Sequence, residues 1–392
     1  MTSFQLVIIV LTGFSAIFWL LQLVGALLAV KTMLLLEKFP DQPTENPPRI
    51  SVIIPACNEA KILEKAVEKR LQDNYPNLEF ILIDDRSHDG TRKILREIAK
   101  KDKRIKTVYI DELPNGWLGK VHALHTGVKH ATGDWFLFSD ADAHVKPGTL
   151  NRVIQYCQLE QLDHLAIVPG FLKGTFLADT AISVFLKALV TWGRSWKIKD
   201  KDSSAFGGSG SFNLVRRSAF ERTKGFEWLK LEIVDDLGLG DMVKKSGGRS
   251  EMINGRGFVS IQWYPTFREM STGLGRAMWA GIANFSLIKL LLFAIFAFIL
   301  DMIPYVILIP MGIPFLPVIG AGIILAALLT NIIVSQFINR PLLPAFFLPL
   351  GNIIVFLVTI KTAVITSLKG GITWRGTFYP TQTLKKGRRL TF

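Results

Sequence analysis

Cysteine is nearly absent from these 392 residues, with only Cys57 and Cys157 present. Two cysteines give no disulfide framework and no zinc-ligand spacing, and they fit a reducing compartment. No G-x-G-x-x-G turn and no Walker loop occurs, so any nucleotide is held differently from those of dehydrogenases and ATPases. Acid is scarce outside the middle of the chain: only Glu37 and Asp301 lie beyond residues 38–286. Charge of either sign is missing from Leu6 to Val30. Internal repeats and long low-complexity segments are missing too. What is abundant is apolar residue, 49% of the total, concentrated in residues 5–30 and 287–367. That distribution excludes a wholly soluble protein, a disordered chain and a simple secreted domain.

Net charge is +14. Residues 38–286 carry 36 basic and 30 acidic side chains. Residues 369–392 hold Lys369, Arg375, Lys385, Lys386, Arg388 and Arg389 with no acid. A basic tail beside a membrane segment points to anionic lipid headgroups, each cation contributing about 1 kcal/mol. Nucleic acid is set aside as a partner because no recognition motif for it occurs.

Residues 6–30 are long enough to cross a bilayer, which takes about 20 residues. No basic residue precedes them and no cleavage-site pattern follows, so they read as an uncleaved anchor rather than a signal peptide. The first positive charges follow the span, which places the middle domain in the cytoplasm. The second apolar block divides near 287–310, 315–338 and 342–367, with Asp301 inside the first segment. An acid in a span is a functional suspect, although the favoured reading is a residue that faces other helices or snorkels. One plus three spans from an outside N-terminus leave the basic tail outside, whereas its charge favours the inside. Either 342–367, with Pro344 and Pro349, is re-entrant or interfacial, or the span count differs.

After a proline-rich linker from Pro40 to Pro48, the middle reads as alternating strand and helix. Strands are expected at 50–55, 80–83, 105–110 and 135–138. Helices are expected at 60–72, 91–101 and 120–131. This alternation implies an α/β fold with a mostly parallel sheet, and such sheets bind ligands at the carboxyl ends of their strands. Polar groups gather there: Asn58-Glu59, Asp84-Asp85 and Asp140-Ala141-Asp142. An Asp-x-Asp alone also fits a solvated loop. After Phe-Leu-Phe, and with two more acid-bearing strand ends, it fits a site for a hard cation, Mg2+ or Mn2+, bridging phosphates. Asp89 and Thr91 read as the turn that opens the next helix, which leaves Asp84 and Asp85 for ligand contact.

These segments carry a resemblance. Ser51-Val-Ile-Ile-Pro-Ala-Cys-Asn-Glu59, Ile83-Asp-Asp-Arg-Ser-His-Asp-Gly-Thr91, Gly119-Lys120 and Asp140-Ala-Asp142 resemble, in order and spacing over about residues 50–260, the GT-A domain of family 2 glycosyltransferases. Trp117-Leu-Gly-Lys120, Val234-Asp-Asp236 and Trp374-Arg-Gly-Thr-Phe-Tyr379 are similar to the membrane-anchored lipid glycosyltransferases of the ceramide glucosyltransferase-like, hopanoid and carotenoid-ester types. The resemblance implies a nucleotide-sugar donor, usually a UDP-sugar, and a lipid acceptor. Pro55, Ala56 and Glu59 would line the nucleoside site, and Asp85 would read the base. Lys120 would lie near the base or phosphates. Asp140 would contact ribose or metal, and Asp142 would ligate Mg2+ or Mn2+. Asp235 and Asp236 match the family's acidic pair, with Asp236 as catalytic base. Without the resemblance, the same pair reads as acids at the N-terminus of a helix over 237–245.

Two departures accompany this resemblance. Arg276-Ala-Met-Trp279 stands where processive members carry a longer Arg/Trp motif. Arg276 is assigned to the diphosphate, with an interfacial helix as the other reading. Arg86 replaces a common Gly, and Cys57 a common Arg or Tyr. The expected organisation is an anchor (1–37), a cytoplasmic GT-A domain (38–286), a membrane domain (287–368) and a basic tail (369–392). The expected activity is inverting transfer of one sugar to a membrane lipid at a bacterial plasma membrane. A polysaccharide synthase and a non-catalytic sugar-nucleotide binder are the alternatives. Gly207-Gly208-Ser209-Gly210 reads as a flexible loop or acceptor wall. Residues 182–198 read as an interfacial or core helix.

Overall fold

The computed structural model describes residues 2–42 and 44–390. Pro43 of the expected linker lies outside them. The chain divides into two units. A sheet unit gathers Met33–Leu172, Lys197–Gln262 and Gly371–Phe392. An apolar unit gathers Met1–Thr32, Lys173–Trp196 and Trp263–Gly370. The division departs from the expected boundaries at four places, the first being residues 33–37 of the expected anchor, which join the sheet unit. Residues 173–196 and 263–286 join the apolar unit, and the tail from 371 joins the sheet unit. The reason is complementarity: the two segments that join the apolar unit carry apolar faces matched by other helices, while the tail carries polar groups matched by the acidic strand ends described below.

The sheet unit is built on seven strands: β1 (Ile50–Ala56), β2 (Leu78–Asp85), β3 (Ile105–Ile110), β4 (Trp135–Phe138), β5 (His164–Val168), β6 (Asn213–Arg216) and β7 (Ser250–Asn254). Their order is β3-β2-β1-β4-β6-β5-β7. The pairs β1–β2, β1–β4, β2–β3 and β5–β7 are parallel. Strand β6 is antiparallel to both neighbours. Strands covered on both faces need near-continuous apolar runs rather than alternation. Every residue of β2 and β4 is accordingly buried. The parallel register Ala56↔Asp84 brings the ends of β1 and β2 to one edge, and Ile53↔Phe138 brings the end of β4 beside them.

A hairpin, β8 (Gly371–Trp374) and β9 (Thr377–Pro380), follows the apolar unit in sequence. Its two-residue turn is Arg375-Gly376, with φ of 48° and 83°. Tight hairpins demand positive φ at both central positions, which Gly376 meets without strain.

Among the described residues, the apolar unit contains six α-helices: α1 (Ser3–Thr32), α2 (Phe176–Trp192), α3 (Phe267–Ala277), α4 (Leu287–Val306), α5 (Leu316–Phe337) and α6 (Leu348–Lys369). Among the described residues, five helical stretches are long and apolar enough to cross a membrane: Phe176–Lys197, which contains α2, and α1, α4, α5 and α6. Large apolar side chains such as Leu21, Ile288 and Val318 are exposed on them, at 65%, 69% and 74%. A capping box joins Thr266 and Glu269 at the start of α3. Helix α6 lies against α2, where Gly351 faces Thr180, and against α3, where Gly275 faces Thr362. Trp279, which follows α3, is 2% exposed inside this unit.

Candidate active site

The site forms at the carboxyl edge of β1, β2 and β4. Asp140 follows β4 and its backbone N–H donates to the Gly210 carbonyl, 2.8 Å. The Ser139 hydroxyl donates to the Ser211 carbonyl. These bonds clasp the Asp140-Ala141-Asp142 turn to the 207–211 loop. Beneath the turn lies Arg70, which is 4% exposed. Its guanidinium donates to the carbonyls of Asp140 and Ala143, each 2.7 Å, and to Ser139 Oγ, 3.0 Å. Arg70 escaped the sequence reading. Its signal was a cation at helical spacing on the buried Leu63, Ala66, Val67 face.

Lys120 opens the helix Gly119–His130. Its Nζ lies 2.9 Å from Asp140 Oδ1 and 3.3 Å from Asp235 Oδ2. Asp235 and Asp236 begin the helix Asp235–Lys245, whose positive end favours acids. Asp236 Oδ2 accepts from the Gly210 N–H, 2.9 Å, and Oδ1 accepts from the Leu237 N–H, 2.9 Å. Asn213 Nδ2 donates to the Asp236 carbonyl, 3.1 Å. One recess is lined by Pro55, Lys120, Asp140, Gly210, Asp235 and Asp236.

The glycines of the 207–210 loop are required by close approach. A Cβ on Gly208 would collide with the Asp236 carbonyl, and one on Gly210 with the Asp140 carboxylate. The loop expected to be flexible is therefore the clamp that holds both acids.

Electrostatics sharpen the picture. Burial pushes the Asp235 carboxyl up to about 7, with Asp236 and Asp140 adding to the rise and Lys120 opposing it. Burial would lower the Lys120 ammonium, yet Asp140, Asp235 and Asp236 outweigh it and raise the group. Asp142 is pushed up to about 6 by burial, with Asp140 and Glu59 contributing. Crowding of this kind is relieved by a cation. Asp140 and Asp142 offer carboxylate oxygens, the donors that Mg2+ and Mn2+ prefer. No group of three or more metal-ligating side chains occurs among the described residues. A two-carboxylate site fits a cation that takes its other ligands from water and phosphate, a common arrangement for Mg2+.

The second acid-bearing strand end differs from expectation. Asp84 is 0% exposed and accepts from Arg92 Nε at 2.6 Å, so it is tied to a half-buried cation rather than turned to an open site. Asp85 is gripped by Arg86, whose Nε and Nη2 donate to its two carboxylate oxygens at 2.7 and 3.0 Å. Arg86, where the resemblance expects Gly, thus caps Asp85.

The C-terminal hairpin completes this side. Arg375 Nη2 donates to Glu59 Oε1. Arg86 Nη1 donates to Thr377 Oγ1, 3.2 Å, and the Gly119 N–H donates to the Tyr379 hydroxyl, 3.2 Å. Burial raises the Glu59 carboxyl, and Arg375 opposes that rise. Farther along the tail, Glu232 accepts backbone N–H groups of Arg389 and Leu390. At least part of the basic tail thus packs on protein. Arg276, expected on the diphosphate, stands on α3 of the apolar unit.

With this geometry in place, the comparisons can be read. The family model described as Glycosyl transferase family 2 matches residues 51–223. Those residues are a family 2 glycosyltransferase domain. The family 2 domain thus covers β1 to β6 and both clasped segments of the site, and it stops before Asp235. An uncharacterized glycosyltransferase of Haemophilus influenzae is 35% identical over 130 residues, covering 33% of this chain and 38% of that protein. The 4,4'-diaponeurosporenoate glycosyltransferase of Staphylococcus haemolyticus is 27% identical over 237 residues, covering 60% and 62%. The GalNAc(5)-diNAcBac-PP-undecaprenol beta-1,3-glucosyltransferase of Campylobacter jejuni is 32% identical over 108 residues, covering 28% and 34%. The chain therefore spans less than two thirds of the length of each of these relatives. Among solved structures, the mannosyltransferase PcManGT from Pyrobaculum calidifontis, in complex with GDP-Man and Mn2+, aligns with a TM-score of 0.49 at 18% identity, covering 91% of this chain and 99% of that one. The fold is mixed α/β with a mostly parallel central sheet, and five helical stretches among the described residues are long and apolar enough to cross a membrane.

Proposed function

We propose that the protein transfers a single sugar from a nucleotide-sugar, a UDP-sugar by preference, to a membrane lipid, with inversion at the anomeric carbon. The observation that carries this reading is the carboxylate of Asp236. The Gly210 and Leu237 N–H groups hold it at a helix start, in the recess shared with Lys120 and Asp140. An acceptor hydroxyl is a poor nucleophile, and a fixed carboxylate within reach removes its proton as attack proceeds. One base acting in one direct displacement inverts the sugar carbon. Asp235, raised by burial, pairs with Lys120 and keeps that cation beside the recess. Asp140 and Asp142 would hold Mg2+ or Mn2+, which when bound neutralises charge on the donor diphosphate. Pro55, Ala56, Glu59 and Asp85 would line the nucleoside side, with Arg375 and Arg86 as nearby cations for phosphate. Arg276 is retained as a proposed diphosphate contact. Relatives named for 4,4'-diaponeurosporenoate and for a PP-undecaprenol substrate support a lipid acceptor.

Chain connectivity supports a topology. The segments before and after α2 contribute strands to one sheet, so α2 returns to the side it left. Residues 197–262 and 371–392 also share that unit, so the intervening chain crosses an even number of times. We take α1, α4 and α5 as the crossings and α2 and α6 as interfacial. Catalytic domain and basic tail then both lie in the cytoplasm, on the side that positive charge prefers.

The test is a transfer assay on detergent-purified protein with Mn2+, labelled UDP-glucose and related donors, and a total membrane-lipid extract. One labelled, organic-extractable product is expected. Asp236→Asn should lower its rate on the order of 10³-fold while UDP binding persists. A long water-soluble product, or full activity in the variant, would overturn the reading.

A further inference from the structure

The apolar unit holds two sets of buried charges, and they differ in closure. Asp179 and Arg340 are each 5% exposed or less and meet at 2.6 Å. Asp179 also accepts from the Gly174 N–H through both oxygens, at 3.1 and 3.2 Å. That pair joins two opposite charges directly. The second set is open. Lys187 of α2, 2% exposed, sits with its ammonium 4.1 Å from the centroid of the Trp19 ring of α1. Asp301 of α4 is the acid whose charge acts on it. Asp301 Oδ1, Trp19 Nε1 and Gln22 Nε2 are all buried without a hydrogen-bond partner. Gln22 and Thr191 are hydrogen-bonded to each other, and Thr191 stands one turn from Lys187. Ser15 donates to the Leu300 carbonyl at 2.7 Å, which ties α1 to α4 beside Asp301. Three helices therefore converge on one polar cluster.

Buried polar groups without partners are costly, and charges among apolar helices mark function. The unpaired set has a definite chemistry. Trp19 and Gln22 offer N–H donors, Lys187 offers a cation, and Asp301 offers an acceptor. A second anion would gain from Lys187 and lose to Asp301. A hydroxyl satisfies both kinds at once, accepting from the N–H groups and donating to the carboxylate. We infer that this cluster is a binding site for the uncharged, hydroxyl-bearing headgroup of a lipid. Within the transferase reading above, on which this identification of the lipid rests, that lipid is the acceptor. Binding itself is independent of transfer.

The experiment is native mass spectrometry of the delipidated full-length protein, titrated with diacylglycerol and with phosphatidic acid of the same chains. Diacylglycerol should be retained at least tenfold more tightly. Trp19→Phe, which keeps the ring under Lys187 and removes only the N–H, should weaken retention several-fold. Lys187→Met should weaken it tenfold or more. UDP binding should be unchanged in both variants, which also shows that they fold. Equal or tighter retention of phosphatidic acid, or wild-type retention in both variants, would overturn the proposal. If no sugar transfer is detected but the predicted retention holds, the transferase reading fails while the site stands.

Discussion

The two units handle charge in opposite ways. In the sheet unit, Asp140, Asp142, Asp235 and Asp236 crowd one edge with Lys120 between three of them, and burial raises Asp235 and Asp142. In the apolar unit the charges are few, and Asp179 with Arg340 is closed on itself. Crowded, under-neutralised acid is unfavourable for stability and useful for binding a cation or moving a proton. A closed pair is useful only to the fold. The contrast separates chemistry from architecture without reference to any relative.

Substitutions in the two units should differ in size of effect. Asp236→Asn, the thousandfold loss described above, is the largest. Gly208→Ala comes next, because the added Cβ displaces the loop that positions Asp236. A shift of about 1 Å at reacting groups costs about 10²-fold, so kcat should fall on that order while the lipid KM stays within a few-fold. Arg340→Met leaves Asp179 buried and unpaired. It should destabilise the apolar unit by about 3 kcal/mol, read as a lowered midpoint of thermal unfolding. The double change Asp179→Leu with Arg340→Met should recover most of that loss.

Arg375→Ala removes the hairpin cation from Glu59. It should raise the donor KM roughly tenfold with a smaller change in kcat, in keeping with one charge-assisted hydrogen bond. Unchanged donor KM would detach the hairpin from the donor site.

The smallest effect concerns pH. Asp235 is raised to about 7 from its ordinary value of 3.8. An acid raised on folding favours the protonated native state, so its contribution is full below about pH 4 and is lost as pH rises toward 7. The thermal midpoint of the donor-free protein should therefore decline across that window. Asp235→Asn should flatten the decline, and an unchanged slope in the variant would show that Asp235 is not its source.

Much of the sheet unit was legible in the sequence. The helix Thr91–Lys101 and the strands Ile105–Ile110 and Trp135–Phe138 lie where apolar spacing placed them. Local propensity and burial agree there. Arg70 was not legible, because a cation on an apolar helix face has no local reason to be buried; its reason is a carbonyl-lined turn 70 residues away. The close approach served by the 207–210 glycines is hidden for the same cause. Glycine signals freedom in a sequence, and only the packed Asp236 and Asp140 reveal that it serves close approach.

By itself, the sequence determined the class of fold, the acid-bearing strand ends and the apolar segments, since each is written in residues adjacent along the chain. Tertiary structure alone decided that Arg86 covers Asp85, that the tail hairpin returns to Glu59 and Gly119, and that α2 leaves the sheet unit for the apolar one. Those outcomes depend on partners up to about 300 residues apart, as between Glu59 and Arg375. Charge and shape select such partners only once the chain has folded.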